Sequence, residues 1–468
     1  MKVVLMNTPM EHTLKMERED SFFESYGYYP PLGLLYLESY LRKNYDCEIK
    51  ILDCIVSKFG YEEIEDYISR ERPDIIGITS FTSVMFDILK IASLIKEVSP
   101  ETKVVVGGAH ATIYPIETAS LPNIDVVVIG DGEEIFTELV RRIALDIPFD
   151  DIKGIAFKKN GGIIKTENIN PNKDLNSLPF PDRTKVPYQK YTCLIGNEKV
   201  MTTMMSSRGC PFKCTFCNSP EKSYRVRSPE NIILELEEIN NIGIKEVFFF
   251  DDLFNISSRR VLEICKLIRE RKFQIKWSFR GRINGIDEEL VEALKESGCE
   301  RIQFGIETGS DDEMKLLKKN LTTTDVRRVV KICSDLGITT TGSFMIGLPG
   351  DTIDKIENRF RFAEGLGLNY VQYAVLIPYP YTEVYKEGIQ RGFFASDVWL
   401  EYAKKPQPDF IPPIWEEFVK RDELYKLLNR GFKSFYFRPK FIIKSFLNLS
   451  SFGELKKKVR GAITLLHS

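Results

Sequence analysis

Short apolar, β-branched runs alternate with helix-patterned segments twice over in this chain, and that rhythm leaves few folds open to it. MKVVLMN, CEIKILD, DIIGITS, TKVVVGG and DVVVIG read as strands. PPLGLLYLESYLRKN, YEEIEDYISRER, FDILKIASLIKEVSP and EEIFTELVRRIA alternate with them and have helical spacing. Strands that are apolar along their whole length are buried on both faces, so residues 1–145 predict a doubly wound parallel sheet. In IKGIAFKKNGGIIKTE, Asn160-Gly161 between two apolar runs predicts a hairpin. LNSLPFPDRTKVP carries three prolines and reads as a linker, so hairpin and linker fill 146–195.

Near residue 196 the alternation restarts with KVMTTMMSS, EVFFFDD, IKWSFRG, RIQFGIE, TTGSFMIGL and YVQYAVLIP. Six βα units in series predict a partial (β/α)6 TIM-type barrel over 196–390, with its chemistry on the loops at the carboxyl ends of the strands. A small, α-rich, basic region occupies 391–468.

Hydrophobic residues make up 43% and charged residues 28%, which suits a soluble protein with a large core. A net charge of -2 gives no global field to recruit nucleic acid. The chain opens without a basic stretch leading into an apolar one, and no run of about 18 apolar residues occurs, so neither a signal peptide nor a spanning helix is expected. Nine cysteines, an odd number, point to a reducing cytoplasm rather than to a disulfide framework. Cys47, Cys54, Cys193, Cys265, Cys299 and Cys333 are scattered, and most of them read as small buried side chains.

The other three are Cys210, Cys214 and Cys217, in SSRGCPFKCTFCNSP directly after the first barrel strand. A structural zinc site needs four closed ligands, yet no second CxxC follows, and Cys193 lies before the strand. A [4Fe–4S] cluster takes one thiolate per iron, so three thiolates leave one iron open for a substrate or cofactor. The CxxxCxxC spacing, with Phe216 before the last cysteine, resembles the signature of the radical S-adenosylmethionine (SAM) superfamily. The resemblance implies that the open iron binds SAM and that one electron yields a 5′-deoxyadenosyl radical. An external donor such as flavodoxin or ferredoxin would supply that electron. Pro211 and Phe212 would stiffen and partly dry the loop.

The remaining barrel motifs are read in the same light. Asp251 and Asp252 end FFFDDLF, where the resemblance places groups near the SAM ammonium; helix capping is the plainer role. Arg280 in WSFRGR suits a carboxylate, or a surface ion pair. Glu307 and Thr308 end GIETG, similar to the GIESG segment of the family, and would bind the ribose or methionyl part of SAM. Gly347 and Gly350, around Pro349 in IGLPGD, would let backbone approach the adenine. Tyr381 stands where the family's PxPGT has Gly.

PPLGLLYL, ITSFTS, VVVGGAHAT and IGDGEE make the first domain resemble the cobalamin-binding type of radical SAM enzyme, and the resemblance covers about residues 1–390. It implies that Ser80, Thr82, Gly107 and Gly108 hold cobalamin, with His110 either a cofactor contact or a packed turn residue. The DxHxxG motif, whose His ligates cobalt from below, is missing: after Asp53, Ile55 and Lys58 occupy the His and Gly offsets. The implied activity is methylation of an unactivated carbon. The alternatives are a cyclase or rearrangement enzyme of the same architecture, and a non-catalytic zinc module. The substrate is expected to be a small molecule, a lipid or natural-product intermediate among the options. From Arg430 on there are nine Lys or Arg and one acid, with Lys440, Lys444 and Asn448 on one helical face and Phe441, Ile442, Phe446 and Leu449 over much of the rest. Such a tail either touches a membrane surface from the cytoplasm or docks on the barrel.

Overall fold

The computed structural model describes residues 1–14, 28–192, 200–219, 222–439 and 441–443. They form two compact units. The first takes in the N-terminal strand, Tyr28–Tyr191 and Asp397–Pro412; the second takes in the described residues between 192 and 396 and between 413 and 443.

In the first unit the chain runs β1 (Lys2–Asn7), α1 (Leu32–Asn44), β2 (Glu48–Asp53), α2 (Cys54–Ser57), α3 (Tyr61–Glu71), β3 (Ile75–Ser80), α4 (Met85–Val98), β4 (Lys103–Gly108), α5 (Ala109–Ile113), α6 (Pro115–Ser120), β5 (Val126–Val128), α7 (Glu133–Ala144), β6 (Ile155–Lys159) and β7 (Gly162–Lys165). The sheet order is β2-β1-β3-β4-β5-β6-β7. Strands β1 to β5 are parallel, and β6 and β7 close the edge antiparallel. Alternation within strands divides the core: Val3, Leu5, Val105 and Val126 pack with Leu34 and Leu41 of α1 and Leu139 and Val140 of α7. Burying each such side chain contributes about 1.5–3 kcal/mol. The predicted hairpin turn is present, with Asn160 at φ 51° and Gly161 at φ 78°, both in the left-handed region that two-residue hairpin loops require. Strand order reverses between β1 and β3, and in doubly wound sheets the crevice beyond such a switch point holds the ligand.

The second unit continues with β8 (Met201–Met204), β9 (Ser207–Arg208), β10 (Arg225–Val226), α8 (Pro229–Asn241), β11 (Glu246–Phe249), α9 (Ser258–Arg271), β12 (Lys276–Gly281), α10 (Glu288–Glu296), β13 (Cys299–Glu307), α11 (Asp311–Leu316), α12 (Thr323–Asp335), β14 (Thr339–Ile346), α13 (Ile353–Gly365), β15 (Tyr370–Val375) and α14 (Glu383–Gln390). Helix α15 (Val398–Lys404) belongs to the first unit, and α16 (Arg421–Tyr436) returns to the second. Six parallel strands lie in sequential order, β15-β14-β13-β12-β11-β8. Right-handed crossovers between sequential neighbours put all the connecting helices on one face. Phe249, Phe254, Trp277 and Phe279 fill part of that face, with ring centroids 4.7–5.4 Å apart along the chain of contacts. The other face carries polar side chains, among them Gln303, Ser343 and Gln372, which bond to one another.

The first barrel strand differs from expectation. KVMTTMMSS yields only Met201–Met204 in the main sheet, because the Ser206 N–H turns away to the Asp251 carboxylate. Ser207–Arg208 then pairs with Arg225–Val226 in a two-stranded ribbon of its own. No helix among the described residues is long and apolar enough to cross a membrane. Of the expected amphipathic tail face, Lys440, Lys444, Phe446, Asn448 and Leu449 lie outside the described residues, as does Cys193. Phe441 packs on Phe435 and Tyr436 of α16.

Candidate functional site

The β9–β10 ribbon closes the base of the loop that carries Cys210, Cys214 and Cys217. All three thiols are half-buried. Gly209 enters the loop at φ 81°, and its N–H donates to Asp252 Oδ2 at 3.1 Å. Further round, the Cys217 N–H donates to the Cys214 carbonyl at 3.1 Å. The Thr215 N–H donates to the Leu317 carbonyl at 3.3 Å, and the Val384 N–H to the Thr215 carbonyl at 3.1 Å. The loop is thus tied to segments that follow three different strands.

Burial pushes the Cys210 thiol up, and the nearby Cys217, Cys214 and Asp252 add to the effect. Among the described residues, however, no three His, Cys, Asp or Glu side chains converge closely enough to hold a single metal ion. Three thiols on one loop suit a cluster that takes one thiolate per iron. Burial pushes the Cys265 thiol up to about 11 and the Cys333 thiol up to about 12, so both are protonated at neutral pH.

Asp251 and Asp252 separate in role. Asp251 is 1% exposed; it accepts from the Ser206 N–H at 2.7 Å and from the Ser206 and Ser207 hydroxyls at 2.5 Å each. Burial raises its carboxyl and these donors offset part of the rise. Buried and with both oxygens engaged, Asp251 braces Ser206 and Ser207 at the start of the cysteine loop. Asp252 holds Gly209 at the loop's mouth.

The Arg280 guanidinium lies over the rings of Phe250 and Phe248, at 4.7 and 5.5 Å. The arginine that reaches the cysteines is Arg282, two residues on, with Nη1 3.5 Å from Cys214 Sγ. Phe216 is half-buried, with Lys319 Nζ 5.9 Å from its ring centre.

Glu307 ends β13 past a register shift and sits at φ 71°, uncommon for a non-glycine residue. Its carboxylate pairs with Lys319 Nζ at 3.1 Å, the lysine being 4% exposed. Thr308 is fully buried and donates to Glu313 while accepting from Arg359 Nε at 3.3 Å, so its hydroxyl is engaged within the protein and not offered to SAM. Gly347 and Gly350 adopt φ 76° and 77° on either side of Pro349. Asp351 Oδ2 accepts from the Leu348 N–H and Glu417 Oε2 from the Gly350 N–H, at 2.9 and 3.0 Å, which fixes the turn. Tyr381 takes φ 64°, so the position where the family has Gly keeps the glycine conformation with a bulky, 62% exposed residue in it.

In the first unit, the β3–β4 register sets Ser80 beside Gly108. Ser80 Oγ donates to the Gly107 carbonyl at 2.8 Å and accepts from the Ala111 N–H at 3.2 Å. Gly108 has φ 106°, and a Cβ there would lie 2.8 Å from the Ser80 carbonyl oxygen. His110 is fully buried; its Nδ1 is 3.0 Å from Thr82 Oγ1, and its Nε2 has no partner among the described residues. At Gly130, by contrast, no described residue other than its chain neighbours lies within 4 Å of where a Cβ would be. An orphaned buried imidazole nitrogen at the carboxyl edge of a switch-point sheet fits a cofactor with polar groups, and Ser80, Thr82, Gly107, Gly108 and His110 are brought together there. Ile55, at the expected His offset, lies in helix α2, while Asp53 accepts from Asn7 Nδ2 and Tyr191 at 2.9 and 2.8 Å.

Burial alone pushes the His110 imidazole down to about 3. The unfolded chain takes up that proton near the ordinary value of about 6.5. Stability from the neutral ring is therefore complete above about 6.5 and is lost as pH falls toward about 3. At pH 5 the loss is about 2 kcal/mol, or about 1.5 pKa units at 1.36 kcal/mol each. Melting of the first unit at pH 7 and pH 5 should show it, and His110→Asn should flatten the dependence.

The model of the Radical SAM superfamily matches residues 204–363, and that of the B12 binding domain matches 22–140. The "Uncharacterized methyltransferase PH0819" of Pyrococcus horikoshii is 32% identical over 476 residues, covering 100% of this chain and 99% of that protein. An anaerobic magnesium-protoporphyrin IX monomethyl ester cyclase of Rubrivivax gelatinosus is 25% identical, over 89% of this chain and 75% of that one. Among solved structures, cobalamin-dependent SAM radical enzyme OxsB, with aqua-cobalamin and SAM bound, aligns at TM-score 0.71 and 19% identity, over 99% of this chain and 72% of its own. The radical SAM methyltransferase TsrM of Kitasatospora setae aligns at TM-score 0.66 and 19% identity, over 83% and 75%. A cysteine loop at strand ends and a switch-point sheet in one chain define a radical SAM enzyme with a cofactor-binding domain. The chain belongs to the cobalamin-binding branch of the radical SAM superfamily, and its cofactors are a [4Fe–4S] cluster, SAM and cobalamin. Its substrate is a small molecule, and it draws on an electron donor.

Proposed function

We propose that this enzyme transfers a methyl group to an unactivated carbon of a small molecule. The observation that carries the reading is the presence, in one chain, of the three-cysteine loop and the glycine-lined switch-point edge. A relative of the same length named as a methyltransferase supports it. When bound, the cluster and cobalamin supply one-electron chemistry on SAM and methyl transfer. The chain's own residues bind and orient. Cys210, Cys214 and Cys217 would hold the cluster, and Asp251 and Asp252 fix the backbone that carries them. Glu307, with Lys319 at its side, and the Gly347–Gly350 turn would receive SAM. Ser80, Thr82, Gly107, Gly108 and His110 would receive cobalamin, and the Ile55 position offers it no imidazole. The cyclase relative favours a second reading, ring closure without methyl transfer.

One assay separates the two. Anaerobic enzyme with dithionite, SAM and a methyl-accepting substrate should release 5′-deoxyadenosine together with S-adenosylhomocysteine. Deoxyadenosine without the homocysteine product would favour the cyclase reading, and neither product would end both. The nine basic residues from Arg430 on support a cytoplasmic enzyme in peripheral contact with an anionic membrane, and with it a lipid or isoprenoid-like substrate.

A further inference from the structure

We propose that Arg282 sets the reduction potential of the cluster that Cys214 ligates, a positioning role that rests on the [4Fe–4S] reading above. Arg282 follows β12, is 7% exposed, and points its Nη1 at Cys214 Sγ from 3.5 Å. Its backbone and its side chain are both held in place. The Arg282 N–H donates to Asn255 Oδ1 at 2.9 Å, Nε donates to Asn284 Oδ1 at 3.2 Å, and Nη2 donates to the Lys319 carbonyl. The Phe212 ring covers the guanidinium at 3.9 Å. Phe212 and Cys214 belong to one loop, so that loop wraps the cation on two sides.

The charge balance makes this arrangement informative. Among the described residues the partners of the guanidinium are all neutral: an amide oxygen, a carbonyl oxygen, a thiol and an aromatic ring. The nearby Lys319 ammonium is already paired with Glu307. A buried cation without a counter-charge is costly. An anionic thiolate-ligated cluster at Cys214 supplies the missing charge. Reduction adds one electron to the cluster from the external donor, with no bond made or broken and no proton moved at Arg282. The added negative charge spreads onto the sulfurs, and hydrogen bonds to those sulfurs set the potential. A fixed N–H donor carrying positive charge stabilises the reduced form more than the oxidised one, so Arg282 raises the potential.

The test is an EPR-monitored redox titration of the anaerobically reconstituted full chain, without SAM. In Arg282→Met the reduction equilibrium should shift about tenfold toward the oxidised form, which is 59 mV for a one-electron couple. Arg282→Lys, which keeps the charge but not the fork, should shift less and in the same direction. Wild-type protein grown on 15N-arginine should show a 15N coupling to the reduced cluster in pulsed EPR, a readout that holds even where the Met variant fails to assemble. A fully loaded Met variant with an unmoved midpoint, or a loaded wild type without 15N coupling, overturns the role of Arg282 alone. Wild-type protein that shows no [4Fe–4S] spectrum overturns the parent reading and this one together.

Discussion

Replacing Cys214 with alanine should leave a folded protein that, reconstituted without oxygen, lacks the [4Fe–4S] absorption and EPR signal and releases 5′-deoxyadenosine only at background. The loop is braced by backbone hydrogen bonds at Gly209, Thr215 and Cys217, none of which needs the Cys214 thiol. The fold should therefore survive while the cluster does not. With two thiolates left, two irons lack protein ligands, and an ordered open site for SAM is lost. Cys265→Ala is the matched control: that thiol is fully buried on α9 and protonated at neutral pH, so iron content and turnover should stay at wild-type levels. Iron and sulfide analysis beside deoxyadenosine release checks both variants. A Cys214→Ala protein that still cleaves SAM would remove the foundation of the assignment.

What the sequence exposes and what it hides follow from range. The cysteine loop, the Asn160-Gly161 turn and the glycines at strand ends are local features, legible because a few adjacent residues carry the whole constraint. The side chains that face a loop are another matter. WSFRGR offers two arginines, and sequence reasoning takes the first; β12 sends Arg280 over Phe248 and Phe250, and Arg282, one residue beyond the strand, reaches Cys214. FFFDDLF offers two aspartates of equal appearance, yet Ser206 and Ser207, some 45 residues earlier in the chain, engage one of them completely. Glu417, which holds the Gly350 N–H, comes from beyond the barrel motifs and carries no local signal. The return of Asp397–Pro412 to the first unit is equally silent in the sequence, since nothing in its composition names its neighbours. Each missed feature is a long-range pairing; each legible one is a turn, a spacing or a periodicity.

Arg359 is the extreme case of a long-range constraint, and its removal should have the largest effect on stability. It lies on α13, 1% exposed, with Nη1 and Nη2 each 2.9 Å from an oxygen of Asp351. Nη2 also reaches Glu313 Oε2 at 2.7 Å, Nη1 the Met345 carbonyl at 2.7 Å, and Nε the Thr308 hydroxyl at 3.3 Å. One guanidinium thereby joins the segment after β13 to the turn after β14, the two segments that carry Glu307 and the Gly347–Gly350 backbone. Arg359→Met leaves two buried carboxylates facing each other without a counter-charge, a change that typically costs about 3–5 kcal/mol. For a unit of this size each kcal/mol lowers the melting midpoint by about 2–4 °C, so a drop of about 6–20 °C is expected in the second unit's transition by calorimetry. The first unit's own buried residues are untouched and its transition serves as the internal reference. Arg359→Lys keeps one charge but cannot span both carboxylates, and should fall between. Adding Asp351→Asn to Arg359→Met removes one of the stranded charges and should recover part of the loss. Equal melting of wild type and Arg359→Met would mean that this network, for all its burial, is not what holds the two loops in register.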